Sequence, residues 1–133
     1  MAEPVLLDTN ILIYASKGHP FFEPYRQDLV DRVAAVSFVT AAEVLLTARK
    51  TQSPQRVLAY WRQRLPLYVL LFPDLETCDI WAQITAQCHA RGTPRQDNDL
   101  WTAAVALRHR LPLLTHNARH FAGIEGLRIV THG

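Results

Sequence analysis

Short apolar runs alternate along the chain with longer segments of helical spacing, and this alternation is the strongest constraint on the fold. The apolar runs lie at residues 5–7, 36–39, 67–72, 113–115 and 127–130. Runs this short, without polar alternation, are typical of strands buried on both faces of a parallel sheet. Helices are predicted after residue 8 and at residues 21–35, 40–50, 54–63, 75–91 and 98–110, with a helical turn at 118–121. The sequence therefore predicts an α/β fold in which helices cover both faces of a central parallel sheet.

Length and composition indicate one domain over residues 1–133. Hydrophobic residues make up 49% of the chain, which is enough for a core of ordinary size. No basic segment followed by a long apolar one is found at the N-terminus, so we expect a soluble, cytoplasmic protein with no membrane segment. Cys78 and Cys88 form neither a CxxC pair nor a disulfide framework, and we expect free thiols.

The charge of the chain does not identify its partner. The formal net charge is only +2, although twelve of the fourteen basic residues are arginine, whose planar guanidinium binds phosphate with two hydrogen bonds. The sequence contains no P-loop, GxGxxG, GxSxG or HExxH pattern, which removes the usual support for nucleotide hydrolysis, dinucleotide redox chemistry, serine hydrolases and zinc sites. An RNA partner is compatible with this composition but does not follow from it.

Asp8 stands at the end of an otherwise apolar run, PVLLDTNILIYA. A buried carboxylate without a partner is strongly disfavoured, so Asp8 must meet a partner, a metal or solvent at an edge of the sheet. In open parallel sheets the functional crevice lies beyond the carboxyl ends of the strands, where the strand order reverses. Asp8 follows the first predicted strand, and Thr115 and Asn117 follow or end the fourth, which places all three near such a crevice.

Glu43 has two interpretations. The segment TAAE at residues 40–43 matches a capping box, in which Thr40 and Glu43 would bind each other's backbone N–H groups. Glu43 is also the only carboxylate of an apolar helix that follows the second strand, which makes a role in the site credible.

Asp97 and Asp99 pose the same question at the start of the next helix. Either residue could cap the helix or interact with its dipole. Residues two apart do not share a helix face, so the two have different roles. Asp99 is in register with Ala103 and Ala106, a face that can approach the sheet closely, and we assign Asp99 to the site and Asp97 to capping or a supporting role.

Carboxylates that converge on one crevice repel each other unless protons or cations intervene. A few hard oxygen ligands, with room left for water and phosphate oxygens, suit Mg²⁺ or Mn²⁺. Such ions polarise phosphodiesters and generate hydroxide from water, which is nuclease chemistry. His116 and His120 are expected in a solvated loop, and the tryptophans at 61, 81 and 101 in the core.

Four segments together resemble a known family. They are LLDTNILIY, TAAEVLL, NDLWTAAVAL and LPLLTHNARHF, and they cover essentially the whole chain. DTN alone is common, whereas the four segments in this order and at these distances are specific. They resemble PIN domains, and among these the compact VapC-type ribonuclease toxins of bacterial type II toxin–antitoxin pairs.

This resemblance implies a three-layer α/β/α sandwich around the parallel sheet and an endoribonuclease that depends on Mg²⁺ or Mn²⁺. It places the metal-binding and catalytic carboxylates at Asp8, Glu43 and Asp99, and a fourth catalytic position at Asn117. Asparagine can bind or orient a metal through its carbonyl oxygen, but it removes one negative charge and puts a second metal ion in question. The supporting polar residues are Thr9, Asn10, Asp97 and Thr115.

The resemblance also implies an RNA substrate, a homodimer and a VapB-like antitoxin whose tail fills the acidic crevice, with arginine or another cation in place of the metal. Candidates for holding the RNA backbone, with ordinary surface charge as the equal alternative, are Arg95, Arg119 and Arg49. Candidates for a contact surface, although core packing suits them better, are Phe21, Phe22 and Tyr25.

Two other functions remain open. Asn117 motivates a catalytically weak PIN-like module that binds RNA or protein. A PIN nuclease of RNA processing or repair, outside toxin systems, is the other alternative.

Overall fold

A five-stranded parallel sheet forms the centre of the molecule. The computed structural model describes residues 3–133. The strands are β1 (Val5–Leu7), β2 (Ala34–Ser37), β3 (Val69–Leu71), β4 (Leu113–Leu114) and β5 (Ile129–Val130), in the order β3-β2-β1-β4-β5. Every neighbouring pair is parallel. Because β1 pairs with β2 on one side and with β4 on the other, the strand order reverses at β1.

Within residues 3–133, five α-helices cover the two faces of the sheet: α1 (Thr9–Lys17), α2 (Phe38–Arg49), α3 (Pro54–Arg64), α4 (Leu75–Ala90) and α5 (Asp97–His109). Val5 and Leu7 of β1 pack in one core cluster with side chains of α1, α2 and α3. Leu6 points the other way and packs with α4 and α5. Alternate residues of β1 therefore pack in the two cores on opposite faces of the sheet, as strand geometry requires. The predicted three-layer α/β/α sandwich is confirmed.

Local signals in the sequence explain several helix ends. Gly18 ends α1 in the left-handed conformation, with φ of 60°, which glycine adopts without steric cost. Asp74 and Thr77 form a capping box at the start of α4, in which Asp74 Oδ1 accepts from the Thr77 backbone N–H at 2.9 Å. Gly92, with φ of 70°, follows the end of α4 at the position where the Gly-Thr-Pro segment predicts a stop.

The predicted helix at residues 21–35 is wrong. This segment contains two short 3₁₀ helices, Pro20–Tyr25 and Gln27–Leu29, and then enters β2. Pro24 lacks the amide hydrogen that an α-helix would use, and its ring opposes the preceding turn. Asp31 has φ of 56°, which is outside helical geometry. Phe22 and Tyr25 are buried, as the core interpretation expects, whereas the Phe21 side chain is 50% exposed.

Two predicted strands have different boundaries. β2 ends at Ser37 rather than at residue 39, because the Ser37 hydroxyl caps α2 and accepts a hydrogen bond from the Thr40 N–H at 3.3 Å. The predicted strand at 67–72 shortens to β3, because Leu65–Leu67, with Pro66 inside, form a 3₁₀ turn. β3 lies at the edge of the sheet and is partly exposed, not buried as expected. The predicted strand at 127–130 shortens to β5.

Several smaller expectations can be compared with the structure. Cys78 and Cys88 are free thiols, as expected. Trp61 is buried in the core, while Trp81 and Trp101 are half-buried and stack on each other with ring centroids 4.9 Å apart. Among residues 3–133, none of the helices has the length and apolar content to cross a bilayer.

Candidate functional site

Polar side chains gather at the carboxyl edge of the sheet, where the strand order reverses. Asp8 directly follows β1, and Thr115 directly follows β4. The first two turns of α2, which follows β2, carry Thr40 and Glu43 to the same edge, since the Thr9 hydroxyl contacts both of these side chains. The topology therefore produces the crevice that strand order predicts for a parallel sheet of this kind.

Asp8 is held by donors on both of its oxygens. Its side chain is only 8% exposed. Oδ1 accepts from the Thr9 backbone N–H at 2.8 Å. Oδ2 accepts from the Thr115 hydroxyl at 2.7 Å and from Asn10 Nδ2 at 3.4 Å. Burial nevertheless raises the pKa of Asp8 above its ordinary value, with the Thr115 and Thr9 hydrogen bonds opposing the shift and the charge of Glu43 adding to it.

Glu43 does not form the predicted capping box with Thr40. The N-cap of α2 is Ser37, three residues before Thr40, which the capping box would make the N-cap, so the Glu43 side chain is not held at the helix start. Its Oε1 accepts a hydrogen bond from the Thr9 hydroxyl at 2.7 Å, and the buried Thr40 hydroxyl lies 3.0 Å from the same Thr9 oxygen. Thr9 thus joins the second carboxylate to the helix that starts beside Asp8.

Asp99 lies in the first turn of α5 and faces His120 across the crevice. Asp99 Oδ2 and His120 Nδ1 are 3.4 Å apart, and the side chains are 22% and 53% exposed. Burial raises the pKa of Asp99, His120 opposes this shift, and the charges of Asp8 and Glu43 add to it. The charges of Asp8 and Glu43 therefore both act on the Asp99 carboxyl, so the three acids belong to one electrostatic environment.

The segment after β4 closes the crevice on the side away from α2. Thr115 is fully buried, and its Oγ1 both donates to Asp8 and accepts from the Asn117 N–H at 3.1 Å. Asn10 Oδ1 accepts from the His116 N–H at 3.2 Å. Asn117 is exposed and begins the 3₁₀ turn Ala118–Phe121. Thr9, Asn10 and Thr115, the supporting residues expected from the resemblance, are therefore brought together, and Asn117 lies at the rim of the same segment.

The remaining candidates are placed differently. Asp97 is exposed at the first residue of α5, and it is not the cap, because Gln96 occupies the N-cap position and forms no side-chain cap bond. Arg95 donates to the carbonyl oxygens of Arg119 at 2.9 Å and Ala122 at 2.7 Å, which ties the entry of α5 to the 3₁₀ turn. The Arg119 side chain is exposed. Arg49 ends α2 at the far end from Glu43, so the structure does not bring it to the crevice.

The donor set suits a divalent cation although it is not a closed metal site. Within residues 3–133, no three His, Cys, Asp or Glu side chains converge tightly enough to form a complete ligand cluster. The oxygens present are hard ligands. Burial raises the pKa of both Asp8 and Asp99, with the charge of Glu43 adding to the shift at Asp8 and the charges of Asp8 and Glu43 adding to the shift at Asp99. A carboxylate that accepts one hydroxyl bond, as Glu43 does, retains further lone pairs for a ligand. The residues therefore fit a cation of the Mg²⁺ type, bound by a few protein oxygens and completed by water or substrate.

Sequence reasoning missed two side chains of this site. His120 was expected in a solvated loop, but it lies next to Asp99; only the placement of the Ala118–Phe121 turn, set by Arg95, brings it there. Thr40 was expected to cap α2, but it is buried beside Thr9. His116 also differs from expectation, since it is half-buried and its Nδ1 lies 2.8 Å from the Tyr25 hydroxyl.

Comparison with known proteins gives concordant results for sequence and structure. The family model described as "PIN domain" matches residues 5–127. The chain is 30% identical to Ribonuclease VapC1 of Haemophilus influenzae (strain R2866) over 125 residues, which cover 92% of this chain and 93% of that one. It is 32% identical to the tRNA(fMet)-specific endonuclease VapC of Shigella flexneri over 123 residues, with coverages of 92% and 93%. The chain matched in the crystal structure of DNA-bound VapBC from Salmonella typhimurium has a TM-score of 0.84 and 29% identity, with 98% of each chain covered.

Proposed function

The chain belongs to the PIN domain family, and on that premise we propose that it is a divalent-metal-dependent endoribonuclease that hydrolyses RNA phosphodiesters as the toxin of a VapBC-type toxin–antitoxin pair. One observation carries the proposal within the molecule: Asp8, Glu43 and Asp99, from three separate elements, share one environment at the strand reversal. Its relatives at 30–32% identity are named ribonucleases and endonucleases and match over almost their full length.

Asp8, Asp99 and Glu43 are the residues that would hold Mg²⁺ or Mn²⁺, with Asn117 contributing its carbonyl oxygen at the rim. When bound, such an ion supplies polarisation of the phosphodiester, activation of water and charge neutralisation for the departing oxygen. This donor chemistry agrees with the raised pKa values of Asp8 and Asp99, which burial causes first and neighbouring carboxylates second, because a cation would stabilise the charged forms that burial disfavours.

The other residues of the chain orient these acids. Thr115 and the Thr9 N–H fix both oxygens of Asp8, and the Thr9 hydroxyl fixes Oε1 of Glu43. His120 lies against Asp99, and its own side chain is 53% exposed, so it is accessible to an incoming phosphate. Hydrolysis by in-line attack of water should leave 5′-phosphate and 3′-hydroxyl ends.

Asn117 supports a second candidate function. It occupies the position at which the resemblance places a fourth acid, and it is exposed and neutral. A site with one fewer charge would hold its cation more weakly, and a chain limited in this way would act mainly as an RNA-binding or protein-binding module. Turnover by the purified protein separates the two candidates.

The partner proposals follow from the relatives and neighbours. We propose a VapB-like antitoxin and a homodimer, with residues 1–133 as a single PIN domain and the cytoplasm as the place of action. A neighbour at 29% identity was crystallised as a VapBC complex. Around the edge strand β3, the side chains of Leu67, Phe72 and Leu75 are 77%, 66% and 85% exposed, which provides apolar surface for association. Sedimentation equilibrium at several concentrations tests the dimer, and a monomer throughout would exclude it.

The decisive experiment is cleavage of total cellular RNA by the purified, antitoxin-free protein with Mg²⁺, with Mn²⁺ or with EDTA. We expect discrete fragments only when metal is present, and their loss in Asp99→Asn. Asp79→Asn is the matched control, because it removes the same charge from an exposed position of α4. Metal-independent cleavage, or full activity of Asp99→Asn, would contradict the proposal. RNA binding by folded protein without any product would favour the binding module.

A further inference from the structure

One buried hydroxyl connects three separate segments of the chain at the carboxyl ends of β4 and β5. Tyr25 is the last residue of the 3₁₀ helix Pro20–Tyr25, and its side chain is fully buried. Its hydroxyl oxygen lies 3.2 Å from the Thr115 carbonyl oxygen, 2.8 Å from His116 Nδ1 and 2.9 Å from the His132 backbone nitrogen. The ring also packs edge-on against the rings of His116 and His132, with centroids 5.8 Å and 4.8 Å away. Tyr25 therefore ties the segment after β4 and the segment after β5 to the 3₁₀ helix.

The hydrogen atoms around the Tyr25 hydroxyl follow from the number of bonds it can form. A hydroxyl donates one hydrogen bond and accepts up to two, and the His132 N–H already donates to this oxygen. Because Thr115 is fully buried, its carbonyl oxygen needs a donor, which the Tyr25 hydroxyl supplies. The second lone pair of the Tyr25 oxygen then meets His116 Nδ1, so this nitrogen must carry a proton. The Thr131 hydroxyl, at 3.5 Å, is at the outer limit of hydrogen-bond distance and does not compete.

Both residues that Tyr25 binds after β4 also support Asp8. The Thr115 hydroxyl donates to Asp8 Oδ2 at 2.7 Å. The His116 backbone N–H donates to Asn10 Oδ1 at 3.2 Å, and Asn10 Nδ2 donates to Asp8 Oδ2 at 3.4 Å. One residue separates Tyr25 from Asp8 along the first path, and two residues separate them along the second. The Tyr25 hydroxyl therefore fixes the positions from which both supports reach the carboxylate.

We propose that Tyr25 is a positioning residue of the acidic crevice, which holds Asp8 in place for the cation by fixing the segment after β4. Its hydroxyl binds the Thr115 carbonyl oxygen and keeps His116 in the Nδ1–H tautomer. This inference rests on the proposed function and adds to it a residue that acts only through its neighbours. Groups that orient metal ligands from outside the coordination shell affect metal affinity and turnover. Because Tyr25 is fully buried, it cannot contact the RNA, so its removal should change metal binding and kcat but not KM.

The test compares two variants that each lose one phenol oxygen. Tyr25→Phe removes the hydroxyl at the junction and keeps the ring. Tyr60→Phe is the control, because Tyr60 of α3 lines a cavity beside Lys17 and Thr51, at the ends of α1 and α2 that lie away from the crevice. Calorimetry with Mn²⁺ alone, without RNA, measures the metal affinity, and steady-state cleavage of RNA separates kcat from KM. Thermal melting confirms that each variant folds.

Nitrogen NMR of the metal-free protein in EDTA reports the His116 tautomer directly, since a ring nitrogen that carries a proton resonates apart from one that does not. His116→Phe keeps a ring and the backbone N–H but removes Nδ1, and the signals that it deletes identify His116 in the spectrum. The same variant is the second test of the junction, because it also removes one of the contacts of the Tyr25 hydroxyl.

We expect Tyr25→Phe to weaken Mn²⁺ binding about 3- to 10-fold and to lower kcat by a similar factor, which is the range that one neutral hydrogen bond accounts for. Its KM should stay within about twofold of the parent. In the parent, His116 should carry its proton on Nδ1, and Tyr25→Phe should abolish this preference. Tyr60→Phe should match the parent in metal affinity, in kcat and in the His116 spectrum.

Parent-like metal affinity and kcat in folded Tyr25→Phe would overturn the inference, and so would a parent in which His116 carries its proton on Nε2. A lower melting temperature without weaker Mn²⁺ binding would show that the hydroxyl serves stability alone. If Tyr25→Phe does not fold, His116→Phe must show the weaker Mn²⁺ binding, and parent-like binding in that variant would overturn the inference. These outcomes concern Tyr25 only, whereas a parent protein that neither binds Mn²⁺ nor cleaves RNA would refute the proposed function as well.

Discussion

The Thr115 hydroxyl offers a sharp test of how the chain keeps a buried carboxylate charged. Thr115→Val removes the oxygen that donates to Asp8 Oδ2 at 2.7 Å while preserving the shape of a fully buried side chain. It also removes the acceptor of the Asn117 N–H. The matched control is Thr102→Val, because the buried Thr102 hydroxyl donates to a neutral acceptor, the carbonyl oxygen of Asn98, at 3.0 Å.

The expected loss of stability depends on pH. A hydrogen bond to a charged group contributes about 1.5–3 kcal/mol, and a neutral one about 0.5–1.5 kcal/mol. The Thr115→Val penalty should therefore rise by about 1–1.5 kcal/mol as Asp8 ionises, which corresponds to an upward move of roughly one unit in the pKa of Asp8. The penalty for Thr102→Val should be the same at every pH.

The sign follows from linkage. Burial raises the folded-state pKa of Asp8 above its unfolded value, so Asp8 favours folding at low pH and this contribution is lost as pH rises through the folded pKa. Deleting the Thr115 donor raises that pKa further, so more stability is lost on the alkaline side. Urea unfolding in EDTA at a series of pH values from 4 to 9 measures the effect. A Thr115→Val penalty that stays constant across the series would refute the reasoning.

Three further predictions concern the same crevice. In EDTA, Asp8→Asn should weaken the loss of stability with rising pH, because it removes a carboxylate whose raised pKa causes that loss; urea unfolding would show the shallower slope, and an unchanged slope would contradict it. Asn117→Asp should tighten Mg²⁺ binding in calorimetry by restoring a negative charge at the rim, and weaker binding would argue against this position as a ligand. Arg95→Gln should lower the free energy of unfolding by about 1–3 kcal/mol, because the carbonyl oxygens of Arg119 and Ala122 lose their charged donor. It should also reduce turnover, because the turn that places His120 beside Asp99 is held less firmly.

The parallel sheet could be predicted because its signal is local. Residues 5–7 and 113–114 are continuously apolar, and each is followed at once by polar residues at the edge of the sheet. The helix at 75–90 has a strong N-cap and a glycine stop, and its prediction is accurate to one residue. The family assignment from four spaced motifs is confirmed by the match over residues 5–127.

The failures arise where two local signals compete. Residues 21–35 contain apolar positions at helical spacing, but Pro24 and the left-handed Asp31 prevent an α-helix. The pattern of Thr40 and Glu43 fits a capping box, but the Ser37 hydroxyl accepts the hydrogen bond from the Thr40 N–H. The side chains of Thr40 and Glu43 therefore contact the Thr9 hydroxyl instead. Sequence spacing does not show whether Ser37 or Thr40 is the N-cap of α2, because the position of the N-cap depends on where β2 ends.

The position of His120 could not be predicted for a different reason. Its contact with Asp99 depends on the Arg95 guanidinium, which holds the turn after β4 against the entry of α5. That contact joins segments more than twenty residues apart, and it produces no repeating pattern of residue types from which it could be predicted. Long-range polar contacts of this kind become visible only in three dimensions.

The pairing of the first strand with the fourth has a consequence for the order in which the molecule is made. The Asp8 N–H donates to the Leu114 carbonyl oxygen at 2.9 Å, and the Asp8 carboxylate is bound by Thr115, 107 residues further along the chain. A nascent polypeptide that ends between residues 99 and 113 contains Asp8, Glu43 and Asp99 but has neither the strand nor the hydroxyl that positions Asp8. A ribosome must therefore synthesise this chain through residue 115 before the acidic centre can assemble, and any shorter nascent chain carries only an incomplete site.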